Sequence, residues 1–302
     1  MTQTNKIATI GFFDGVHLGH RHLISQVVAE AARRQGIPVV VTFRSHPRSV
    51  ISGQTVPLLT TEDEKVALLH ECGIDQIYTI DFTSAISQMS AREFMQRVLS
   101  DQLGVTTLVI GYDHRFGRGR SEGFDDYVCY GRELGIDVVR ADAFETGGLP
   151  ISSSRIRHLL ADEGDVAQAA RLLGHPYCMS GTVVEGYQRG RELGYPTANL
   201  QIAADKLLPR DGVYSAQIET EWGCFDAMLN IGMNPTYTNS NRTVEAHLLD
   251  FDHSLYGTRV SATLFDRIRD EQPFASADEL MQQLLADEQV IRRLMSARRT
   301  QP

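Results

Sequence analysis

The sequence has few of the features that mark exported, membrane-spanning or metal-stabilised proteins. Its four cysteines, among 302 residues, are widely spaced and form no CxxC pair, which argues against a disulfide framework and a structural zinc site. No run of about 18 apolar residues could span a bilayer, and the N-terminus has no basic segment followed by a long apolar stretch. These absences predict reduced cysteines, no membrane partner and a cytoplasmic location.

The sequence also has no excess of positive charge. Its net charge is -9, which argues against non-specific binding to nucleic acid, because that binding depends on Lys and Arg neutralising phosphates. Small anions are not excluded, since a site is built from local charge. The length of 302 residues exceeds the size at which one core usually keeps growing, so we expect two domains.

The first half has the pattern of an α/β domain. From residue 7 to about 140, short apolar runs alternate with segments of helical periodicity, which is typical of a parallel sheet covered on both faces. We therefore predict a Rossmann-like fold, in which ligands bind beyond the carboxyl ends of the strands. His17 and His20 follow the first predicted strand. The predicted strands are KIATIGFF, IPVVVTF, IDQIYTI, TTLVIGYD and IDVVRAD.

The pattern changes near residue 175. Beyond a short helical segment at about 165–173, β-rich runs are punctuated by Gly, Pro and Asn, which predicts an antiparallel barrel or sandwich. Apolar residues at helical spacing follow Ser276, a plausible N-cap that forms a capping box with Glu279, so one helix is expected to close the chain. We place the domains at residues 1–174 and 175–302.

His17 and His20 stand three residues apart beside a turn that contains Asp14 and Gly15. If a helix begins here, both histidines face the same side of its first turn, next to unpaired N–H groups and the positive end of the helix dipole. Glycines at 15 and 19 would let a nucleotide approach closely. The residues alone leave a metal site, a pair of capping histidines and a phosphate-handling site open.

The surrounding motifs resemble a known family. GFFDGVHLGH at residues 11–20 is similar to the GxFDGxHxGH motif of FAD synthetases, a branch of the HxGH nucleotidylyltransferases, and ISSSRIR at 151–157 is similar to the second signature of that superfamily. TFRSHP, PLLTTEDEK and GYDHRFGRGR match in order between them. In the second half, GTVVEGYQRGRELGYPTANL, NIGMNPT, VEAHLLDF and IRDEQPF resemble a riboflavin kinase module. Nearly the whole chain thus resembles the bacterial bifunctional riboflavin kinase/FAD synthetases, which implies a nucleotidylyltransferase-type first domain and a six-stranded antiparallel barrel.

For the first domain the resemblance implies transfer of AMP from ATP to FMN. This step needs aligned phosphates and stabilisation of developing charge, and His17 and His20 are suited to donate to the phosphates as catalytic residues. Asp14 also fits a turn residue, and the serine run with Arg157 also fits an N-cap followed by a solvated arginine. The ATP- and phosphate-binding residues expected here are Gly11, Phe12, Asp14, Gly19, Asp113, Ser152, Ser153, Ser154 and Arg157.

The sequence departs from the family at two positions, one in GYDHRFGRGR and one in ISSSRIR. The resemblance puts Asp113 in a loop that contacts the adenine ribose or the flavin, and three arginines add local positive charge. His114 stands where the family often has Phe, and Ser154 stands where it often has Thr. The serine keeps the hydroxyl, whereas the histidine adds a titratable group to the loop.

The second half contains a pattern that suits phosphoryl transfer. Thr197 and Asn199 offer hard oxygens that suit Mg²⁺ bridging ATP phosphates, although PTAN also fits a turn before a strand. Strand alternation puts Glu245, His247 and Leu249 on one face. A Glu and a His on the interior face of a small barrel would need a reason, because buried charge is costly. The resemblance supplies one, since Glu245 matches the general base that activates the terminal ribityl hydroxyl of riboflavin.

The resemblance also implies further contacts of the kinase module. Gly186, Gly190 and Arg191 fall in a glycine-rich flap over ATP. Arg269 and Glu271 fall in the segment that borders the flavin, although without the resemblance they fit an exposed ion pair.

The implied function is a bifunctional enzyme. Riboflavin and ATP would give FMN and ADP, and FMN and ATP would give FAD and pyrophosphate, with Mg²⁺ accompanying ATP and self-association left open. The alternatives are an HxGH enzyme that acts on another phosphorylated metabolite and a flavin- or nucleotide-binding regulator without chemistry. A regulator has no need of a proton acceptor, so the joint presence of these residues favours the enzyme: His17, His20, Thr197, Asn199 and Glu245.

Overall fold

The computed structural model describes residues 5–46, 49–50, 53, 55–144, 151–186, 194–233 and 242–300. The chain divides into two units, residues 1–152 and 153–302. The helical residues between 153 and 174 are thus grouped with the second unit, and the functional boundary at 174/175 stays a prediction. Over the part of the chain described, no helix is long and apolar enough to cross a membrane.

The first unit is a five-stranded parallel sheet. Its strands are β1 (Lys6–Ile10), β2 (Ile37–Phe43), β3 (Gln76–Ile80), β4 (Thr107–Ile110) and β5 (Asp137–Arg140). They lie in the order β3-β2-β1-β4-β5, and all neighbouring strands are parallel. The strand order therefore reverses between β1 and β4, and in such sheets the crevice beyond the carboxyl ends at this point is the usual ligand site.

Helices cover both faces of this sheet. They are α1 (Leu18–Arg33), α2 (Glu62–Glu71), α3 (Ser84–Ser87), α4 (Ala91–Phe94), which continues with π-helical geometry over Met95–Gln102, and α5 (Phe124–Leu134). In β1, Ala8 and Ile10 pack in the core beside the π-helical turns, while Ile7 packs on the opposite face beside Val27 of α1. Burial on both faces explains why the strands are continuous apolar runs, and the predicted α/β fold is confirmed.

The second unit begins with helices and then forms a barrel. The helices are α6 (Ser153–His158), which continues with π-helical geometry over Leu159–Glu163, and α7 (Val166–Leu173). The strands are β6 (Tyr177–Val184), β7 (Ala198–Ile202), β8 (Gly212–Thr220), β9 (Gly223–Met233), β10 (Arg242–Leu248) and β11 (Arg259–Arg269). They close in the order β10-β7-β6-β11-β8-β9, and every pair is antiparallel. The predicted six-stranded antiparallel barrel is confirmed.

The interior of the barrel is apolar. In β10, Val244, Ala246 and Leu248 are only 3, 0 and 6 % exposed, whereas Glu245 and His247 are half-buried on the other face. Side chains alternate across a strand, so Glu245 and His247 lie on the outer surface of the barrel. The interior placement that the sequence suggested for them is wrong.

The closing helix α8 (Ala277–Arg299) is also as predicted. Ser276 Oγ accepts a hydrogen bond from the Glu279 N–H at 3.2 Å, so Ser276 is the N-cap. The Glu279 carboxylate accepts from the Ala275 N–H at 3.0 Å, one residue before the position that a capping box would use. The helix packs through Ile291 and Met295 against the outer face of the barrel.

Candidate active sites

A strained turn connects β1 to α1. Phe13, Gly15 and Val16 have φ angles of 54°, 79° and 39°, in a region that is unfavourable for a β-branched residue such as Val16. Each non-glycine outlier costs on the order of 1–3 kcal/mol and persists only where the surroundings impose it. Such strain is characteristic of ligand sites, and here it lies beyond the central strand of the sheet.

Contacts with residues 59 and 60 impose this geometry. The Asp14 carboxylate accepts from the N–H of Leu59 at 2.9 and 3.1 Å and from the N–H of Thr60 at 3.1 Å. The Thr60 hydroxyl accepts from the Gly15 N–H at 3.1 Å. Asp14 is 3 % exposed, so these contacts are those of a turn residue, and its contact with a nucleotide stays a prediction.

His17 is the N-cap of α1. Its Nδ1 accepts from the His20 N–H at 3.3 Å, and the two imidazole rings stack with centroids 3.6 Å apart and planes 14° from parallel. The capping interpretation is therefore correct for one nitrogen of His17. A neutral imidazole that accepts at Nδ1 carries its proton on Nε2, so the second nitrogen is a donor.

Burial keeps three histidines of this region, His17, His20 and His114, neutral. It lowers the pKa of His17 from 6.5 to about 4, although a backbone hydrogen bond opposes the shift. Burial first, and then His17 and His114, lower the pKa of His20 well below 6.5. Burial and Arg120 lower the pKa of His114 to about 4, against the effect of Asp113. His20 Nδ1 and His114 Nε2 are buried without a hydrogen-bond partner among the residues described.

Gly11, Phe12 and Gly19 shape the same turn. A Cβ at Gly19 would lie 3.3 Å from the His17 ring, and a Cβ at Gly11 would lie 2.9 Å from the Phe13 ring. The Phe12 carbonyl accepts from Thr42 Oγ1 at 3.1 Å. Larger residues at these glycines would therefore displace the rings that line the turn.

The remaining predicted residues of this site lie in other segments. Asp113 is exposed in the loop after β4. Ser152 is the last residue of the first unit, whereas Ser153, Ser154 and Arg157 belong to α6. Their contacts with ATP stay predictions.

The second site lies on the outer face of the barrel. Glu245 of β10 is in register with Asn199 of β7 on one side and with Asn230 of β9 on the other, and residues in register project from the same face of a sheet. Thr197 Oγ1 donates to Glu245 Oε2 at 3.3 Å. The structure thus brings together Thr197, Asn199 and Glu245, and their roles in the kinase step stay predictions.

Asn230 extends this row toward Glu271. Its Nδ2 donates to Glu271 Oε1 at 3.0 Å, and a Cβ at Gly232 would overlap the Glu271 carboxylate. The missing side chain at Gly232 therefore makes room for Glu271. Asn230 was not selected from the sequence, although a lone amide in the apolar strand CFDAMLNIGM was a usable signal.

Arg269 has a different partner from the one that the sequence suggested. Its Nε and Nη2 each lie 2.9 Å from Asp287 Oδ2 of α8, and the Asp287 side chain is only 3 % exposed. The exposed ion pair between Arg269 and Glu271 does not describe these contacts. Arg269 joins the last barrel strand to α8, and its contact with flavin stays a prediction.

The PTAN segment, residues 196–199, lies close to His247 and to Gly186. His247 Nδ1 lies 2.8 Å from the Pro196 carbonyl oxygen, and a Cβ at Gly186 would overlap the Asn199 amide. Gly190 and Arg191 lie outside the described residues. A cleft of about 210 Å³ opens beside Thr197, between PTAN and residues 251–256, and offers space for part of a ligand.

Comparisons with known proteins identify two family modules along the chain. The family model of FAD synthetase matches residues 1–155, and that of riboflavin kinase matches residues 173–295. The bifunctional riboflavin kinase/FMN adenylyltransferase of Escherichia coli (strain K12) is 38% identical over 292 residues, which cover 95% of this chain and 91% of that protein. Its counterpart from Pseudomonas fluorescens is 36% identical, with coverage of 93% and 90%. A crystal structure described as a macrolide-efflux protein from Streptococcus pneumoniae superposes with a TM-score of 0.87 at 32% identity, covering 97% of this chain and 95% of that one.

Proposed function

Because the chain belongs to the family of bifunctional riboflavin kinase/FMN adenylyltransferases, we propose that residues 1–174 adenylylate FMN and residues 175–302 phosphorylate riboflavin. The chain is an enzyme with both activities, making FMN from riboflavin and FAD from FMN. The division of labour is supported by one observation above all. The stacked histidines lie in the first unit and the Thr197–Glu245 pair lies in the second.

Adenylyl transfer requires attack by an FMN phosphate oxygen on the α-phosphorus of ATP, with pyrophosphate as the leaving group. The proton on His17 Nε2 can be donated to a phosphate oxygen, and His20, stacked on His17, can contact a neighbouring phosphate. Fixed donors at the point where charge develops stabilise the transition state. No proton acceptor is needed, because the FMN phosphate is already ionised.

Other residues are proposed to position ATP in this step. Ser152, Ser153 and Ser154 offer hydroxyls to the phosphates, and Arg157 offers a guanidinium. Asp113 is proposed to contact the adenosine ribose or the flavin. Gly11, Phe12 and Gly19 allow the nucleotide to lie close to the turn, and Asp14 holds that turn.

Riboflavin phosphorylation does require a proton acceptor. The terminal ribityl hydroxyl attacks the γ-phosphorus of ATP, its proton passes to the Glu245 carboxylate, and ADP leaves. Gly186, Gly190 and Arg191 are proposed to cover the ATP phosphates. Arg269 and Glu271 are proposed to border the flavin at the end of β11.

We propose Mg²⁺, carried with ATP, as the metal of the kinase step. Thr197 Oγ1 and the Asn199 side-chain oxygen are hard neutral ligands that suit it, and they leave positions for phosphate oxygens and water. Among the described residues no group of three or more His, Cys, Asp and Glu could hold a metal ion, which fits an ion held largely by ATP. When bound, the ion offsets charge on the transferred phosphoryl group.

The substrates are then riboflavin, FMN and ATP, and the products are FAD, ADP and pyrophosphate. Flavin and ATP binding, a cytoplasmic location and the lack of a nucleic-acid partner stay predictions from the sequence. Self-association stays open.

One time course tests this proposal. Purified chain is incubated with riboflavin, ATP and Mg²⁺, and the flavins are separated by chromatography. FMN should form first and FAD should follow. Formation of neither product would contradict the proposal, and FAD formation from FMN without phosphorylation of riboflavin would favour a barrel with an accessory role.

Glu245→Gln tests the division of labour. This nearly isosteric change removes the proton acceptor, so FMN formation should fall about 10²–10⁴-fold while FMN is still converted to FAD. Loss of both activities in a folded variant would contradict the assignment of the two steps to separate sites.

A further inference from the structure

Lys65 is a buried lysine that the two proposed reactions do not use. It lies in the first turn of α2 and is 2 % exposed. Its ammonium donates to the Phe43 carbonyl at 2.7 Å and to the Phe12 carbonyl at 3.4 Å, and it lies 4.6 Å from the centroid of the Phe12 ring. A lysine is almost never this deeply buried without a paired group or a function.

The contacts of Lys65 converge on the turn that carries the histidine pair. Phe12 precedes the strained residue Phe13, and its carbonyl also accepts from Thr42. Phe43 is the last residue of β2, so the ammonium joins the carboxyl ends of two neighbouring strands. Lys65 thus fixes the point where the chain leaves β1 toward His17.

The rest of the same segment holds the other half of the turn. Leu59 and Thr60 donate to the Asp14 carboxylate, and Thr60 accepts from Gly15. Helix α2 itself is fixed by a capping box between Thr61 and Glu64. Several hydrogen bonds from residues 59–65 therefore hold residues 12–15 in place.

The charge of Lys65 has a consequence that an apolar residue could not provide. The Phe12 and Phe43 carbonyl oxygens and the Asp14 carboxylate all present negative charge at the edge where an anionic nucleotide would bind. A cation beside them offsets this charge, and in a buried setting its effect is little screened by solvent.

We propose that Lys65 is a positioning residue for FMN adenylylation, holding the turn at residues 12–15 so that His17 meets the ATP phosphates and offsetting the negative charge of the turn. This inference rests on the proposed function of the first unit. It adds a residue that touches neither substrate but determines where the phosphate donors lie.

The surroundings of Lys65 predict a pH dependence of FMN adenylylation. Burial, with a smaller contribution from Arg44, lowers the pKa of Lys65 from 10.5 to about 8, although Asp14 and Glu62 oppose the shift. The cation is thus present below about pH 8 and is lost as the pH rises through this value. Because kcat/KM reports the ionisation of the free enzyme, FMN adenylylation should lose activity on this alkaline limb.

Lys65→Met keeps an unbranched side chain that is one heavy atom shorter, and it removes the charge and the donors. A displacement of about 1 Å at the reacting groups can cost about 10²-fold, so kcat/KM for FMN adenylylation should fall by up to that factor. Riboflavin phosphorylation by the same preparation should be unchanged, which shows that the second unit has folded. A cooperative thermal unfolding transition of the first unit should show that this unit has folded as well. Lys65→Arg, which keeps a charge that does not titrate near pH 8, should lose less activity and should lack the alkaline limb.

Lys6→Met is the matched control. Lys6 lies at the opposite end of β1, where its ammonium donates to the Tyr78 hydroxyl and the Leu103 carbonyl, each at 2.9 Å, and lies 5.2 Å from the Tyr78 ring centroid. These contacts have the same chemistry but lie away from the turn. Lys6→Met should therefore leave kcat/KM for FMN adenylylation unchanged.

The possible results distinguish a failure of the proposed role of Lys65 from a failure of the proposed function. An unchanged rate in Lys65→Met, an equal loss in Lys6→Met, or an alkaline limb that persists in Lys65→Arg would overturn the role of Lys65. If Lys65→Met does not fold, the pH profile of Lys65→Arg decides the question. A wild-type chain that makes no FAD from FMN would instead contradict the proposed function.

Discussion

His17 combines a structural contact with a proposed catalytic one, and two substitutions can separate them. Nδ1 caps α1 by accepting from the His20 N–H, while the proton on Nε2 is available to a phosphate. His17→Ala removes both contacts. His17→Asn removes the imidazole but keeps a side-chain oxygen that is among the best N-cap acceptors.

The two losses have different magnitudes. Removing an N-cap acceptor costs about 1 kcal/mol of stability, which corresponds to a decrease in Tm of about 2–4 °C for a unit of this size. Removing one donor to a developing oxyanion costs about 10²–10³-fold in rate. His17→Ala should show both effects, whereas His17→Asn should recover the Tm and keep the low rate of FAD formation.

The assay measures three quantities on each preparation. Conversion of FMN to FAD reports the first site, conversion of riboflavin to FMN reports the second, and thermal unfolding reports the cap. Kinase activity should stay at the wild-type level in both variants. If His17→Asn restores FAD formation together with Tm, His17 is only a capping residue and the proposed phosphate contact is refuted.

Three further predictions follow from the contacts described. Thr197→Val removes the hydroxyl that donates to Glu245, so riboflavin phosphorylation should fall about 10–100-fold and should require a higher Mg²⁺ concentration. Thr197→Ser keeps the hydroxyl and should show neither effect. An unaltered Mg²⁺ dependence in Thr197→Val would contradict the role of Thr197 as a ligand. The lowered pKa of His17 means that the unfolded chain takes up this proton first as the pH falls, so the contribution of His17 to stability should decrease from about pH 6.5 to pH 4 by at most about 3 kcal/mol. Urea unfolding should show a weaker pH dependence in His17→Asn, and equal slopes would contradict this assignment. Asp287→Ala leaves Arg269 without its buried partner and should destabilise the second unit by about 3–5 kcal/mol, as measured by denaturant unfolding. A changed KM for riboflavin at unchanged stability would instead favour a contact between Arg269 and the flavin.

The fold was largely predictable because its signals are local. Strands buried on both faces give continuous apolar runs such as IPVVVTF, and helices between them give a different period. Glycine and proline punctuate the second half at short intervals, which indicates antiparallel strands. The N-cap at Ser276 was predictable for the same reason, since a cap depends on neighbours within about one turn.

The orientation of the barrel face was not predictable in the same way. Alternation in RTVEAHLL separates two sets of residues but does not say which set faces the interior. That choice depends on closure of the barrel and on α8, which covers part of its outer surface. Glu245 therefore needed the structure to place it outside, in register with Asn230 of the preceding strand β9 and with Asn199 of the more distant strand β7.

Lys65 shows a signal that was present but ambiguous. It stands four residues before Leu69, and both are buried on one face of α2. In the sequence EDEKVALL, however, a lysine beside three acidic residues is indistinguishable from a solvated one. Only the tertiary contact with the carbonyls of two strands identifies it as part of the turn.

The two sites differ in how tightly chemistry is tied to stability. In the first unit the candidate residues also hold the fold, because His17 caps a helix and Asp14 anchors a strained turn while both are less than a tenth exposed. In the second unit Thr197 and Glu245 stand half-buried on the outside of a barrel whose core is formed by other residues. Substitutions in the first site should therefore lower activity and Tm together, whereas substitutions in the second should lower activity at nearly constant Tm. Over several variants of each site, activity should therefore correlate with Tm for the first site and should show no correlation with Tm for the second site.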